Sequence, residues 1–353
     1  MPGQLSQGAN PEKLLTKIAL NGYDANELRI LGGDDATTSH ENKHSNHLLA
    51  AQLMGSNSEL LTHCAKLLAT QGNAPRVDLN CGCPANVVTG KGAGSSLLRD
   101  PYVVQECIAA VARGVENTGC AVSLKMRSGY GDRGLLRDNL LAAQAGGAEF
   151  ITLHPRTRSE GYTGHARWED IAFAVDLLDI PVIGNGDVTS PEKALRMLTE
   201  TNCHGIMIGR GAVQDPLLFR RIKNALESDF GNDFLSREDE TLEIKAFLNA
   251  FAVEAFSDEA FHNSKKSKKR VKTKADLEGY KLGKLKQICK YLFAGNEGLR
   301  GYIHEVLNAQ GCVTTADELL QKVNGLIDLH WHAPEDVLVD AFSMRAEYDK
   351  GMR

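Results

Sequence analysis

From about residue 48 to 228, short apolar runs alternate with longer stretches whose apolar residues recur at helical spacing. The runs predict strands at 49–54, 76–80, 121–126, 149–153, 180–184 and 204–208. The stretches between them predict helices near 57–70, 101–115, 134–146, 167–177, 190–199 and 215–226, with Pro101 and Pro216 suited to helix starts. Strands regularly separated by helices form parallel βα units, so the fold expected is α/β, a TIM-type (β/α) barrel. Six units are visible, and a closed barrel needs eight. Residues 1–47 do not supply the other two: Leu28-Arg29-Ile30-Leu31 is short and Asp34 to His47 is polar, so an irregular N-terminal segment and a barrel lacking its first two strands are expected. Past residue 236 the pattern turns helical. It begins with Glu240 to Phe256, continues through a lysine-rich linker at 263–275, and reaches a helix with Leu282, Leu285, Ile288, Cys289 and Leu292 on one face. The division expected is therefore 1–47, a catalytic barrel over 48–235, and an all-helical domain over 236–353.

The strand endings carry chemistry. The second strand leads into Asn80-Cys81-Gly82-Cys83-Pro84, placing a thiol just past a strand's C-terminal end, where α/β barrels keep their active sites. Lys125 and His154 are read as the ends of the two middle strands, a cation and an imidazole facing the barrel mouth. A lysine at such a place is commonly just solvated and a lone histidine a hydrogen-bonded core group; the glycine loops that follow shift the balance. Gly184-Asn185-Gly186 and Gly209-Arg210-Gly211 close the last two units, where this fold binds phosphate through backbone N–H groups.

Charge adds a second theme. Twelve Lys and Arg against three acids in residues 265–300 give a local +9, leaving −14 for the rest of a chain whose net charge is −5. Such a block beside an amphipathic helix points to a polyanion partner, although a solvated linker accounts equally well for 265–275. With 42% hydrophobic and 24% charged residues the composition is that of a globular protein. No apolar stretch is long enough for a membrane span, and Met1 to Asn10 lacks a signal-type apolar core, so a cytoplasmic setting is expected. The eight cysteines are scattered, which argues against a disulfide framework, and Cys81-x-Cys83 has no partner pair at zinc-like spacing, so no metal is expected.

Taken together, Asp78-Leu79-Asn80-Cys81-Gly82-Cys83-Pro84, Gly94-Ser95-Ser96-Leu97-Leu98-Arg99-Asp100-Pro101, Lys125-Met126-Arg127-Ser128-Gly129, His154-Pro155-Arg156-Thr157-Arg158-Ser159-Glu160-Gly161-Tyr162, Asn185-Gly186-Asp187 and Met207-Ile208-Gly209-Arg210-Gly211-Ala212 resemble the tRNA-dihydrouridine synthase family. The likeness covers roughly residues 48–225, with a weaker echo at Lys281 to Leu292. It implies an FMN enzyme that reduces the C5–C6 bond of uridines in tRNA and is recharged by NADPH. Under the resemblance Cys83 is the general acid that protonates C5, a role suited to a thiol that is protonated near pH 7. Asn80 orients the uracil, and Arg156 helps to position the substrate. Gln52, Lys125 and His154 contact the flavin ring, while Asn185, Gly186, Asp187, Gly209 and Arg210 lie on its ribityl and phosphate side. Lys284 and Lys286 face tRNA phosphates from the helical domain. Separately from the resemblance, a monomer is expected. Cys81 is the competing thiol; the geometry of an extended strand does not separate it from Cys83, and the resemblance assigns the role to Cys83.

One departure stands out. The apolar-proline-methionine strand with which the family normally begins has no counterpart here, nor is its second strand recognisable, so this chain alone is expected to hold FMN poorly. Two other functions remain open from the sequence: an FMN barrel enzyme acting on a small molecule, which has no use for the basic C-terminal region, and a non-catalytic RNA-binding relative that keeps that region without the flavin.

Overall fold

The structure, a computed structural model, describes residues 50–226, 235–255, 274–308 and 313–332. The N-terminal segment 1–47 and all but the last two residues of the basic stretch 263–275 lie outside them. The described residues fall into two compact units. One holds the chain up to Gly186 together with Glu200–Met207; the other holds Asp187–Thr199 and the residues from Ile208 onwards.

The first unit is built on a six-stranded parallel sheet: β1 (Ala51–Leu53), β2 (Arg76–Cys81), β3 (Ala121–Gly129), β4 (Phe150–Thr157), β5 (Val182–Asn185) and β6 (Gly205–Met207). The strands neighbour one another in chain order. A doubly wound sheet reverses its strand order at a switch point; an unbroken sequential order with a helix after each strand is the winding of a TIM-type (β/α) barrel. Helices α1 (Ser58–Thr70), α2 (Pro101–Val115), α3 (Leu136–Ala145) and α4 (Glu169–Leu177) make the crossovers from β1 to β5, and α5 (Pro191–Thr201), which up to Thr199 belongs to the second unit, follows β5 in the chain. Their starts are chemical. Asn57 Oδ1 accepts the Leu60 N–H at 3.0 Å, and Asp100 Oδ1 accepts that of Tyr102 at 3.0 Å, with Pro101 in the first helical turn.

Strand alternation divides the sheet into two unlike faces. Val77, Leu79, Cys81, Leu124, Met126, Ile151, Leu153 and Val182 point one way and are wholly buried. Burying each of the larger ones contributes roughly 1.5–3 kcal/mol. The opposite face reads Gln52, Asp78, Asn80, Ser123, Lys125, Arg127, Thr152, His154, Arg156 and Asn185. The register aligns Gln52 with Asp78 and Asp78 with Ser123, Asn80 with Lys125 and Lys125 with Thr152, and Arg127 with His154. Phe150, Ile183 and Met207 share this face by register, but sheets buried on both faces are ordinarily apolar on both, so its run of polar residues marks where this fold does something other than pack.

β3 and β4 run past the apolar runs that predicted them, to Gly129 and Thr157, with a register shift between Arg127 and Gly129. Lys125 and His154 are therefore interior to their strands rather than at strand ends. Pairing with the neighbouring strand, not the apolar run, fixes where a strand stops, and polar side chains on the inner face do not interrupt the ladder.

The second unit is helical over α6 (Leu218–Leu226), α7 (Arg237–Ala255), α8 (Lys274–Gly295) and α9 (Ala316–His330). Pro216 precedes α6 instead of opening it, and Asp215 Oδ1 takes the Leu217 N–H at 2.9 Å. The predicted stripe of α8 is the core seam: Leu285, Cys289 and Leu292 are buried with Ile244, Leu248, Leu319, Val323 and Ile327, and Leu282 and Ile288 pack against them. A capping box of Thr315 and Glu318 starts α9. Among the described residues no helix is long and apolar enough to cross a membrane.

Candidate active site on the polar face of the sheet

Cys83 sits in the loop after β2, partly exposed, whereas Cys81, the last residue of β2, points into the apolar layer and is wholly buried. Burial pushes the Cys81 thiol well above its ordinary range. Only Cys83 of the two is open to a partner.

The loop that carries Cys83 is tied on both sides. Asn80 Oδ1 accepts the backbone N–H of Gly82 at 3.0 Å and of Cys83 at 2.9 Å. The Cys83 carbonyl accepts from the Ser95 N–H at 3.1 Å and from Ser95 Oγ at 2.9 Å. Gly94, at φ 63°, allows that approach: a Cβ there would stand 2.9 Å from the Cys83 oxygen and 3.1 Å from its Cβ.

Arg127 joins this loop to the next. Only 2% exposed, it donates from Nε to the Gly82 carbonyl at 2.9 Å and from one terminal nitrogen to the Thr157 and Gly161 carbonyls at 3.0 and 2.8 Å. The loop after β4 is fixed in turn by Glu160, which accepts the Thr157 N–H at 2.7 Å and pairs with Arg133, itself bonded to Asp170 at 2.7 Å.

The sequence-predicted strand residues of the first unit lie on one face of the sheet in three hydrogen-bonded groups. Asn80 Nδ2 donates to Gln52 Oε1 at 2.8 Å, and Gln52 Nε2 to Asp78 Oδ2 at 2.7 Å. Lys125 Nζ reaches Asn185 Oδ1 at 3.4 Å, and Asn185 Nδ2 is held by the Met207 carbonyl at 2.7 Å. Burial, then the nearby Arg127 charge, lowers the pKa of Lys125, while Asp78 acts against them. His154 Nε2 lies 3.3 Å from a terminal nitrogen of Arg156. A guanidinium only donates, so Nε2 is the accepting side of this contact. Arg156 donates further to the Gly164 and Thr163 carbonyls. Gly186, at φ 115°, passes so close to His154 that an added Cβ would sit 3.2 Å from its ring, and its carbonyl accepts from Trp168 Nε1 at 3.1 Å.

Asp187, Gly209 and Arg210 belong to the second unit. Asp187 holds a left-handed backbone at φ 60°; Gly209 and Arg210 are exposed, and a Cβ at Gly209 would meet no heavy atom within 4 Å. Also in the second unit, Lys284 is exposed on α8 beside the Tyr280 ring at 5.7 Å, and Lys286 is half-buried.

Sequence reasoning gave no role to Asp78, Ser123, Arg127, Gly94 or Ser95. Four of them stood inside the quoted motifs, and Ser123 two residues before one. The period-two alternation of polar residues along β2 and β3 was the signal that could have singled out Asp78, Ser123 and Arg127.

The family model described as Dihydrouridine synthase (Dus) matches residues 30–279. Among curated proteins the chain is 35% identical over 215 residues to the probable tRNA-dihydrouridine synthase 1 of Synechocystis sp., covering 61% of this chain and 58% of that protein. It is 40% identical over 179 residues to the tRNA-dihydrouridine(16) synthase of Cupriavidus necator, covering 51% and 55%. It is 36% identical over 188 residues to the probable tRNA-dihydrouridine synthase of Treponema pallidum, again covering 51% and 55%. The chain thus spans about half the length of the curated relatives it matches. With the family match extending over most of its 353 residues, the chain belongs to the dihydrouridine synthase family.

Proposed function

We propose that this protein reduces the C5–C6 double bond of uridine in tRNA, with FMN as hydride carrier and NADPH as reductant. The observation that carries the reading is the Cys83 loop, where a partly exposed thiol is anchored through its own N–H and carbonyl at the rim of a polar sheet face. Proton donation demands this combination of a reachable S–H and a fixed backbone.

The donor set of the face suits a flavin ring. Gln52 and Asn185 are amides, Lys125 is a cation held above the sheet, and a ring rich in carbonyl oxygens and nitrogens accepts from such groups. Bound FMN supplies the hydride that goes to C6. The chain's own residues do the rest. The Cys83 thiol delivers its proton to C5, and the Lys125 ammonium and the amides stabilise negative charge near the ring. His154 lies against the flavin ring, and Arg156, bonded to it, helps to position the substrate. Asn80, whose Oδ1 is occupied by the loop, orients the base chiefly by fixing Cys83. The assignment of Gly209 and Arg210 to the phosphate and of Gly186 and Asp187 to the ribityl side rests on their motifs alone.

A uridine inside folded tRNA must leave its stack to reach a thiol at the rim of a sheet. The lysines of α8, Lys284 and Lys286 among them, supply phosphate neutralisation for that partner. The proposal includes a monomer and a reducing cytoplasm, the compartment that NADPH use suits.

The test is NADPH oxidation by the flavin-loaded protein with and without unmodified tRNA, with dihydrouridine counted by mass spectrometry of the digested RNA. Oxidation stimulated by tRNA and accompanied by dihydrouridine supports the reading. Oxidation indifferent to tRNA overturns it.

A further inference from the structure

Asp78 is buried on the polar face, and both of its oxygens are used: Oδ1 accepts from Ser123 Oγ at 2.7 Å and Oδ2 from Gln52 Nε2 at 2.7 Å. Burial chiefly opposes its ionisation; the bonds from Ser123 and Gln52 and the charges of Arg76 and Lys125 favour it. A carboxylate accepts and does not donate, so Gln52 must turn its NH2 towards Asp78. Its Oε1 is then directed at Asn80 and takes the Asn80 Nδ2 proton at 2.8 Å. That leaves Asn80 Oδ1 as the end facing the loop, where it receives the N–H groups of Gly82 and Cys83. Each amide has one donor end and one acceptor end, so a choice made at Asp78 is transmitted through two side chains without ambiguity. Turned over, Asn80 would aim its NH2 at two backbone N–H groups and lose both loop bonds.

We propose that Asp78 is a positioning residue that sets, through Gln52 and Asn80, the geometry of the loop carrying Cys83. Its significance for the reaction rests on the reading of Cys83 as the proton donor; the positioning itself does not.

The experiment follows the thiols directly. The full chain is treated with iodoacetamide, and the alkylation rates of Cys83 and Cys81 are measured by peptide mass spectrometry. In the native protein Cys83 reacts and buried Cys81 does not. Asp78→Asn keeps the volume but no longer dictates which end of Gln52 faces it; the expected result is Cys83 alkylation faster by about threefold or more with Cys81 still protected. Gln52→Glu combined with Asp78→Asn reverses the first link and preserves the rest, because the amide introduced at position 78 donates to the carboxylate introduced at position 52, whose second oxygen still accepts from Asn80. This double variant is expected to return the Cys83 rate to within about a factor of two of native. Native-like Cys83 reactivity in Asp78→Asn overturns the proposal, as does a double variant that alkylates like the single one. Should Asp78→Asn also expose Cys81, the double variant decides alone on the same criterion. Alkylation needs neither tRNA nor flavin, so a failed reductase assay with the thiol pattern intact counts against the proposed function and not against the relay.

Discussion

Ser95 donates twice to the Cys83 carbonyl, from its backbone N–H at 3.1 Å and from its hydroxyl at 2.9 Å, so the thiol-bearing residue is pinned from the C-terminal side by a segment twelve residues further along. With Asn80 holding the Cys83 N–H, the peptide groups on both sides of the thiol are committed, and only the side chain is left to move.

This arrangement separates the two thiols of the motif. Cys83→Ala is expected to keep the flavin content and NADPH-driven flavin reduction of the native protein while losing dihydrouridine formation by about 10²-fold or more, the range of a removed general acid. Cys81→Ala, which deletes a sulfur from the apolar layer, is expected to cost stability, roughly 1–2 kcal/mol, with far less effect on turnover. Dihydrouridine yield per flavin in the two variants checks this, and equal losses would remove the assignment of Cys83.

Gly94→Ala should act at a distance on the same thiol. The new methyl would stand 2.9 Å from the Cys83 oxygen and from Val88 Cγ1, in a left-handed backbone that alanine disfavours. We expect a destabilisation of roughly 1–3 kcal/mol in a denaturant melt and a fall in kcat exceeding that of Ser95→Ala, which removes only one of the two bonds to Cys83.

The six strands and the helices of the first unit were legible because their apolar runs are short, evenly spaced and bounded by caps such as Asn57 and Asp100. Strand lengths were not. β3 and β4 extend through Arg127 and Arg156, where hydropathy reports a break while the ladder continues. The positions of Cys83, Lys125 and His154 in the chain could be marked from motifs. Their couplings could not, because Asp78 to Gln52 and Arg127 to Gly161 connect residues 26 and 34 apart, which a local pattern does not report.

Lys125 and His154 are next. Lys125→Ala removes the cation facing Asn185, and His154→Ala removes the imidazole beneath Gly186. Each is expected to lower the flavin absorbance per protein or slow flavin reduction by NADPH by about tenfold. Full flavin and native reduction rates in both variants would remove them from the flavin site.

Glu160 gives a pH signature. The hydrogen bond from Arg133, above other causes, holds its carboxyl down to about 2 from the ordinary 4.5. A depressed folded pKa means that the contribution is complete above about 4.5 and is lost as pH falls from there through about 2. The side chain is 38% exposed, so solvent screening limits the effect to about 1 kcal/mol. Glu160→Gln should therefore melt below the native protein at pH 6, and the gap should close as pH approaches 2.5. A gap that widens with acid would contradict the pairing.

The α8 lysines offer a test of the proposed RNA partner. Lys284 is exposed and Lys286 half-buried on a helix whose other side, Leu285, Cys289 and Leu292, is sealed in the core, so the basic residues lie on the accessible side by default. If Lys284 neutralises one phosphate, Lys284→Ala should reduce the slope of log affinity against log salt by about 0.7–0.9. It should weaken binding similarly for tRNAs of different sequence, because a phosphate contact carries no base information. Lys286→Ala should change the slope less, its stem being partly committed to packing. Titrating labelled tRNA at several salt concentrations reads both variants in one experiment. A slope unchanged by Lys284→Ala would make these lysines a solvated face rather than an RNA contact.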